Sequence, residues 1–434
     1  MNITTEPGLG RFMTFEASKE KPVHGWFWYK EGYAPEIVER AISDFRQNAG
    51  REPGTILDPF CGVGTTLLAA KEKGLPSAGI DASPLAVFVS KTKTDDYDGS
   101  DAEAALAFLS RRLDYGSVSG REWDFELFPP RAAFPKRNLT EILALRQAIE
   151  REDGRARNIL LLALLSILPQ ASIMVKDGGV LKIERSKRAL PAREIFRRKV
   201  KRMVRELSGR PQGHSPHVFL GDARALDLDG ESADMVVTSP PYLNNIDYSK
   251  IYGLELSGRP QGHSPHVFLG DARALDLDGE SADMVVTSPP YLNNIDYSKI
   301  YGLELSLLAM SKAVAEEVRM RAVRSFIGRR MDVGRMPPEV GDEGYRIPII
   351  GTYFRDMEAS IAEMLRVLRP GGSAYIVVSN SVIHQTHVMV DEIFAQMGQR
   401  LGFTESRIVV GAERVADVRP QRVRTRESMV VLRR

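Results

Sequence analysis

Thr55-Ile-Leu-Asp58-Pro59-Phe60-Cys61-Gly62-Val63-Gly64-Thr65-Thr66 reads as a short apolar strand ending in a carboxylate, then a glycine turn, then the start of a helix over residues 65–73. Ser77-Ala-Gly-Ile-Asp81 follows as a second short strand that ends in an acid, and Pro84 restarts a helix over 84–91. Strand, glycine loop, helix, strand, acid is the opening of a doubly wound α/β fold. Further on, residues 217–220, ending at Gly221-Asp222, and residues 234–238 read as two more strands. A helix over 356–368 is stopped by Arg369-Pro370-Gly371-Gly372, and an apolar strand over 373–379 comes next. Residues 407–410 and 428–432 read as a closing antiparallel pair.

The glycine loop carries a chemical expectation. Glycine at 62 and 64 lets the backbone approach a ligand closely, and the loop leads into a helix N-terminus. A nicotinamide-type fingerprint wants a third glycine in Gly-x-Gly-x-x-Gly spacing, and position 67 is Leu. Asp81 lies 17 residues after Gly64, at the end of the next strand, where a carboxylate would take both hydroxyls of a ribose.

Residues 206–254 recur without one change as residues 255–303, and the identity continues through Glu304, Leu305 and Ser306. Each copy carries Thr-Ser-Pro-Pro-Tyr, at Thr238 to Tyr242 and at Thr287 to Tyr291. Repeat architectures diverge between units and need about three units to bury a core. Two verbatim copies in an otherwise non-repetitive chain therefore read as a recent duplication or an assembly error, not a solenoid.

At 434 residues the chain is long enough for two or three domains, with the composition of an ordinary globular protein. The apolar run 159–168 is too short to span a bilayer, and residues 1–19 have no basic region leading into an apolar stretch. A single cysteine, Cys61, excludes an internal disulfide and fits a reducing cytoplasm. The net charge of +2 understates the basic character: each repeat copy carries −4, so a single-copy chain of 385 residues would carry +6. Positive charge gathers in residues 182–205 and again in 319–330, the pattern of phosphate contacts to nucleic acid. Between the strands, residues 96–205 lose the strand rhythm and show helical periodicity over 102–113, 139–150 and 158–168. They read as a mainly helical insertion, with a second, smaller basic insertion over 310–345.

The Asp-Pro-Phe-Cys-Gly-x-Gly-Thr-Thr loop together with Thr-Ser-Pro-Pro-Tyr resembles the S-adenosylmethionine-dependent amino-methyltransferases that modify DNA. The resemblance covers about residues 23–90, the repeat region and residues 353–434. It implies a Rossmann-like seven-stranded sheet with an antiparallel last strand, formed by residues 1–95 and 206–434. The insertion 96–205 would then be the candidate target-recognition region. It also implies S-adenosyl-L-methionine as cofactor, held by Asp58, Pro59, Phe60, Cys61, Gly62, Gly64, Thr65 and Asp81. Asp222 or its twin Asp271 matches the acid near the adenine amino group, and residues 24–37 resemble the segment that packs on the methionine end. No metal is implied; His384 and His387 lack an evident third ligand.

Ser-Pro-Pro-Tyr suits methyl transfer to an exocyclic amine. The lone pair of such an amine is delocalised into the nucleobase ring, so the nitrogen is a poor nucleophile. Hydrogen bonds to the Ser side chain and the first Pro carbonyl would draw it toward tetrahedral geometry, and the Tyr ring would stack on a base flipped out of the helix. Methylation at cytosine C5 needs a cysteine nucleophile, and the only cysteine lies in the cofactor loop. The resemblance implies cytosine N4 ahead of adenine N6, because Ser at the first position is commoner with the former. An RNA guanine-N2 methyltransferase and a catalytically impaired nucleic-acid binder stand as alternatives. DNA is the expected partner, with a cognate restriction endonuclease if the protein belongs to a restriction–modification pair. Of the two copies, the flanks favour Ser288, Pro289, Pro290 and Tyr291 for the site. The helix expected over 246–256 after Ser239, Pro240, Pro241 and Tyr242 runs into Gly258-Arg-Pro260, so most of residues 209–256 are expected to be extruded.

Overall fold

The computed structural model describes residues 2–29, 32–53, 56–58, 61–79, 81, 83–116, 118, 123, 129–177, 180–207, 217–218, 235–238, 279–280, 282–287, 302–309, 335–383, 386–418 and 421–434. Strand β1 (Asn2–Thr5) precedes helix α1 (Pro35–Ala49), which opens on Pro35 at its first turn and closes on Gly50 in the left-handed region. β2 (Ile56–Asp58), α2 (Thr65–Glu72), β3 (Ser77–Gly79) and α3 (Pro84–Thr94) follow, close to the sequence expectation. Ser83 caps α3 by accepting the Ala86 N–H.

The segment expected to be helical contains α4 (Gly99–Phe108), α5 (Pro130–Ala133), α6 (Lys136–Glu150), α7 (Gly154–Ala171) and α8 (Ala192–Leu207). A hairpin that periodicity did not announce, β4 (Met174–Asp177) with β5 (Val180–Ile183), stands between α7 and α8. An Asp98–Asp101 capping box starts α4. Leu160, Leu161, Leu162, Leu164 and Leu165 make α7 buried nearly all round. It packs with α4, α6 and α8 into one core that also takes in Trp26, Phe27, Val63, Leu68, Leu85 and Val89. The helices therefore share their apolar interior with the elements around the glycine loop.

β6 (His217–Val218), β7 (Met235–Thr238) and β8 (Ala282–Thr287) are the described strands of the repeat, and α9 (Gly302–Ala309) follows them. The chain closes with α10 (Glu343–Arg346), α11 (Pro348–Val367), β9 (Leu368–Ser379), the short hairpin β10 (Ser381–Ile383) and β11 (Thr386–Val388), α12 (Val390–Leu401), β12 (Glu405–Val418) and β13 (Gln421–Arg433). β12 and β13 reach further than the expected pair and are in register almost end to end.

One sheet runs in the order β1-β12-β13-β9-β8-β7-β2-β3-β6. β13, the last strand of the chain, is antiparallel to both its neighbours, and all other pairings are parallel. Side-chain alternation on the long strands builds a layer on each face. Ala374, Ile376 and Val378 of β9, with Ile408 and Val430, face the α11 and α12 side; Tyr375, Val377, Val409 and Met429 face the α1 and α2 side. Among the described residues no helix is long and apolar enough to cross a membrane.

Two findings correct the sequence reading. Among the described residues the sheet has nine strands where seven were expected; β1 adds an edge, and the repeat contributes the same strand twice. The described part of copy one, residues 217–218 and 235–238, also lies in the sheet and is not extruded. Its Met235–Thr238 strand lies inside the sheet, paired with β2 on one side and β8 on the other. β7 and β8 align so that Met235, Val236, Val237 and Thr238 each pair with their own twin 49 positions on. The physical reason is that a parallel ladder accepts a second strand of identical β-branched sequence as readily as the first. The helix expected over 246–256 lies outside the described residues.

Candidate functional site

β2 and β3 end side by side, with Asp58 paired to Gly79, so the two acids that close the motifs emerge at the carboxyl ends of adjacent parallel strands. Strand order reverses between β3 and β7 around β2, and such a switch point is where open α/β sheets bind ligands. Asp58 and Asp81 are both buried. Asp81 reaches back to the loop: its Oδ2 accepts the Gly62 N–H at 2.8 Å and its Oδ1 accepts the Ser83 N–H at 2.7 Å. Burial outweighs these two hydrogen bonds and pushes the Asp81 carboxyl up to about 6.

The two loop glycines have separate reasons to be glycine. Gly64 caps α2 at φ 76°, and a Cβ there would collide with Ser90 of α3. Gly62, at φ 50°, has among the described residues only the Tyr29 ring near the Cβ direction, at 3.4 Å. A side chain at 62 would thus fill the space between the loop and Tyr29. At the first turn of α2, the Thr65 hydroxyl is buried and has no hydrogen-bond partner among the described residues. A donor at a helix N-terminus beside an open glycine cradle, opposite a buried acid, fits a ligand with an anionic group and a hydroxylated ring.

Cys61 is buried in this loop. Burial first, then the charges of Asp81 and Asp58, push its thiol well above the ordinary value. A thiol held protonated is a poor nucleophile, which agrees with its exclusion from covalent chemistry.

The N-terminal segment closes over the loop. The Tyr33 hydroxyl meets Thr66 Oγ1 at 2.5 Å, and burial beside Asp58 raises the Tyr33 pKa well above its usual value. Upstream, Val23 sits at φ 60°, a conformation that costs a β-branched residue on the order of 1–3 kcal/mol. Polar contacts pin the turn that follows. Glu206 Oε2 accepts the Val23 N–H at 2.9 Å and the Trp26 Nε1–H at 2.8 Å; Lys93 Nζ donates to the His24 carbonyl at 2.9 Å and Lys199 Nζ to the Gly25 carbonyl at 3.4 Å. Burial pushes Lys93 down to about 7 and Lys199 down to about 8, each aided by a neighbouring cation. Glu206 and Lys93 were not singled out for a role in the sequence, and Lys199 belonged there to the basic 182–205 cluster read as phosphate contacts, whereas it turns inward to the Gly25 carbonyl.

Beside Trp28 a cavity of about 280 Å³ opens between β4, β5 and α9, lined by Met174, Leu181, Lys187, Leu303 and Glu304. α9 is tied to the helical part by Trp123 Nε1–H donating to Ser306 Oγ at 2.8 Å and by Arg146 donating to the Leu307 and Leu308 carbonyls. On α8, Ile195, Phe196, Val200, Met203 and Val204 face the core while Arg197, Arg198, Lys201 and Arg205 are exposed, so this part of the 182–205 cluster forms a cationic face. Pro59, Phe60, Asp222, Asp271, both Ser-Pro-Pro-Tyr strings (239–242 and 288–291) and the 319–330 cluster lie outside the described residues.

Fold and loop together define a mixed α/β protein with a glycine loop and a buried acid at the carboxyl ends of adjacent parallel strands. No protein-family model matches the chain. Its relatives among known proteins are Type II methyltransferases. It is 24% identical to M.AvaI of Nostoc sp. over 426 residues, 92% of this chain and 83% of that protein. It is 28% identical to M.BsoBI of Geobacillus stearothermophilus over 286 residues, and this match spans 58% of the chain and 55% of the relative. A shorter stretch of 83 residues is 39% identical to M.MjaII of Methanocaldococcus jannaschii, covering 19% of the chain and 15% of that protein.

Proposed function

We propose that the protein is a site-specific DNA methyltransferase that moves a methyl group from S-adenosylmethionine to an exocyclic amine, cytosine N4 in preference to adenine N6. The observation that carries this is the loop itself: Gly62, a buried Asp81 that holds it, and a Thr65 hydroxyl without a partner among the described residues, where two parallel strands end. The similarity to the Type II methyltransferase M.AvaI along 92% of the chain supports the DNA methyltransferase part of this reading, and the preference for cytosine N4 rests on the Ser of Ser-Pro-Pro-Tyr.

Asp81 would hold the ribose hydroxyls, the Thr65 hydroxyl and the α2 N-terminus the carboxylate of the methionine part, and Tyr29 the open side of the loop. The bound cofactor supplies an electrophilic methyl on a sulfonium. The Ser hydroxyl and the first Pro carbonyl of Ser-Pro-Pro-Tyr accept hydrogen bonds from the target amine and localise its lone pair. Formation of the N–C bond would leave the electrons of the broken S–C bond on the sulfur as a thioether, and the surplus amine proton would pass along the same hydrogen bonds to solvent. The Tyr ring stacks on the flipped base. The cationic face of α8 contacts phosphates.

The sheet order reverses the preference between the two copies. β7 of copy one is the strand hydrogen-bonded to β2, whereas β8 of copy two is one strand further away. We therefore assign the reacting loop to Ser239, Pro240, Pro241 and Tyr242. With labelled S-adenosylmethionine and duplex DNA, Tyr242→Ala is expected to lose about 10–100-fold in methyl transfer, the value of one stacked base, while Tyr291→Ala stays near the parent. The opposite pattern would return the site to Ser288 to Tyr291.

A further inference from the structure

Glu206 closes the last turn of α8 and takes no part in the chemistry proposed above, yet it holds the segment that faces the glycine loop. One carboxylate oxygen takes both the Val23 N–H and the Trp26 indole N–H; the other takes Arg202 Nε–H at 2.6 Å. The turn so held contains the strained Val23 and leads within a few residues to Tyr29, which lies against Gly62. Lys199 on the same helix takes the Gly25 carbonyl. The inner side of α8 therefore fixes residues 23–26, and its outer side carries Arg197, Arg198, Lys201 and Arg205.

We propose that Glu206 is a positioning residue that presets the cofactor side of the site and couples it to docking of DNA on the cationic face of α8. A backbone conformation that Val23 would not adopt by itself persists because surrounding groups over-determine it, and Glu206 provides two of the bonds that do so. One rigid helix carries both the anchor and the phosphate-facing charges. If phosphate contacts shift the helix, residues 23–26 would feel the shift, and linkage would make the effect reciprocal. Glu206 is also the first residue of the repeat, so removal of copy one leaves Glu255 at the same place in the chain.

The proposal rests on the cofactor reading above and is tested with S-adenosylmethionine and a duplex DNA as probes. In Glu206→Ala the dissociation constant for S-adenosylmethionine is expected to rise about tenfold, with the rate at saturating cofactor within about twofold of the parent. Glu206→Gln, whose amide oxygen still accepts from Trp26, restores most of the affinity. Duplex DNA is expected to tighten cofactor binding in the parent, and this effect is expected to be lost in Glu206→Ala. Amide exchange of the ligand-free variant is expected to rise at residues 23–28 while α11 and β9 stay protected, which separates a local effect from unfolding. A parent that fails to bind S-adenosylmethionine sinks the cofactor reading. A parent that binds it, with Glu206→Ala showing equal affinity and equal response to DNA, overturns the role of Glu206 alone.

Discussion

Asp81 joins three properties that are separate in the sequence: it ends a strand, it tethers the glycine loop through Gly62, and its burial raises its pKa to about 6. Because the folded value lies above the ordinary 3.8, the stabilising share of this group is full below pH 3.8 and is lost as the pH climbs through about 6. At neutral pH the carboxylate is ionised at some expense to folding and is ready to accept hydroxyl hydrogen bonds. Binding of S-adenosylmethionine should therefore weaken as the pH falls below about 6, with a limiting slope of about tenfold per pH unit. Asp81→Asn should bind more weakly at pH 7.5 and show a flat profile from pH 5 to 7.5. A titration by calorimetry reads both, and an unchanged slope in Asp81→Asn would assign the titration elsewhere. The acid and the two glycines were legible from spacing alone. Glu206, Lys93 and Lys199 were not, because a buried anchoring role depends on which carbonyl or indole lies opposite, and nothing local in the chain records that.

At the scale of elements, periodicity located most helices and strands within a few residues. α11 starts eight residues before the helix expected over 356–368, at Pro348, whose fixed φ suits a first turn. The β4–β5 hairpin escaped notice because four-residue strands between two strong helices give too short an alternation to register. α8 was seen only as a run of charge. Its apolar positions at Ile195, Phe196, Val200, Met203 and Val204 turn that run into a face. If this face contacts phosphates, replacing Arg197, Arg198 and Lys201 together by Ala should reduce the slope of log affinity against log salt by about 2.7, while sequence preference is kept. A fluorescence-anisotropy series between 50 and 300 mM salt is sufficient (ranges chosen to span roughly physiological ionic strength). An unchanged slope would remove α8 from the DNA interface.

For the whole molecule, the described strands of the repeat widen the sheet. β7 pairs with β2 and β8 pairs with β9, so two copies divide the neighbours that one strand would have. Deleting 49 residues gives the same 385-residue chain whichever copy goes, and a single strand then joins β2 to β9 directly. That protein should fold with a sheet one strand narrower, unfold at a midpoint at least as high as the parent, and transfer methyl groups at least as fast. Calorimetry and a transfer assay run side by side test this. Loss of folding on deletion would mean that β8 is a necessary part of the sheet and not a passenger.

The central claim is the chemical identity of the acceptor. Mass spectrometry of nucleosides released from DNA and RNA, after incubation with the protein and methyl-labelled S-adenosylmethionine, tests it most directly. The account predicts labelled N4-methylcytosine in DNA, with none at cytosine C5 and none in RNA. Label confined to RNA, or found at C5 despite the buried and protonated Cys61, would contradict it.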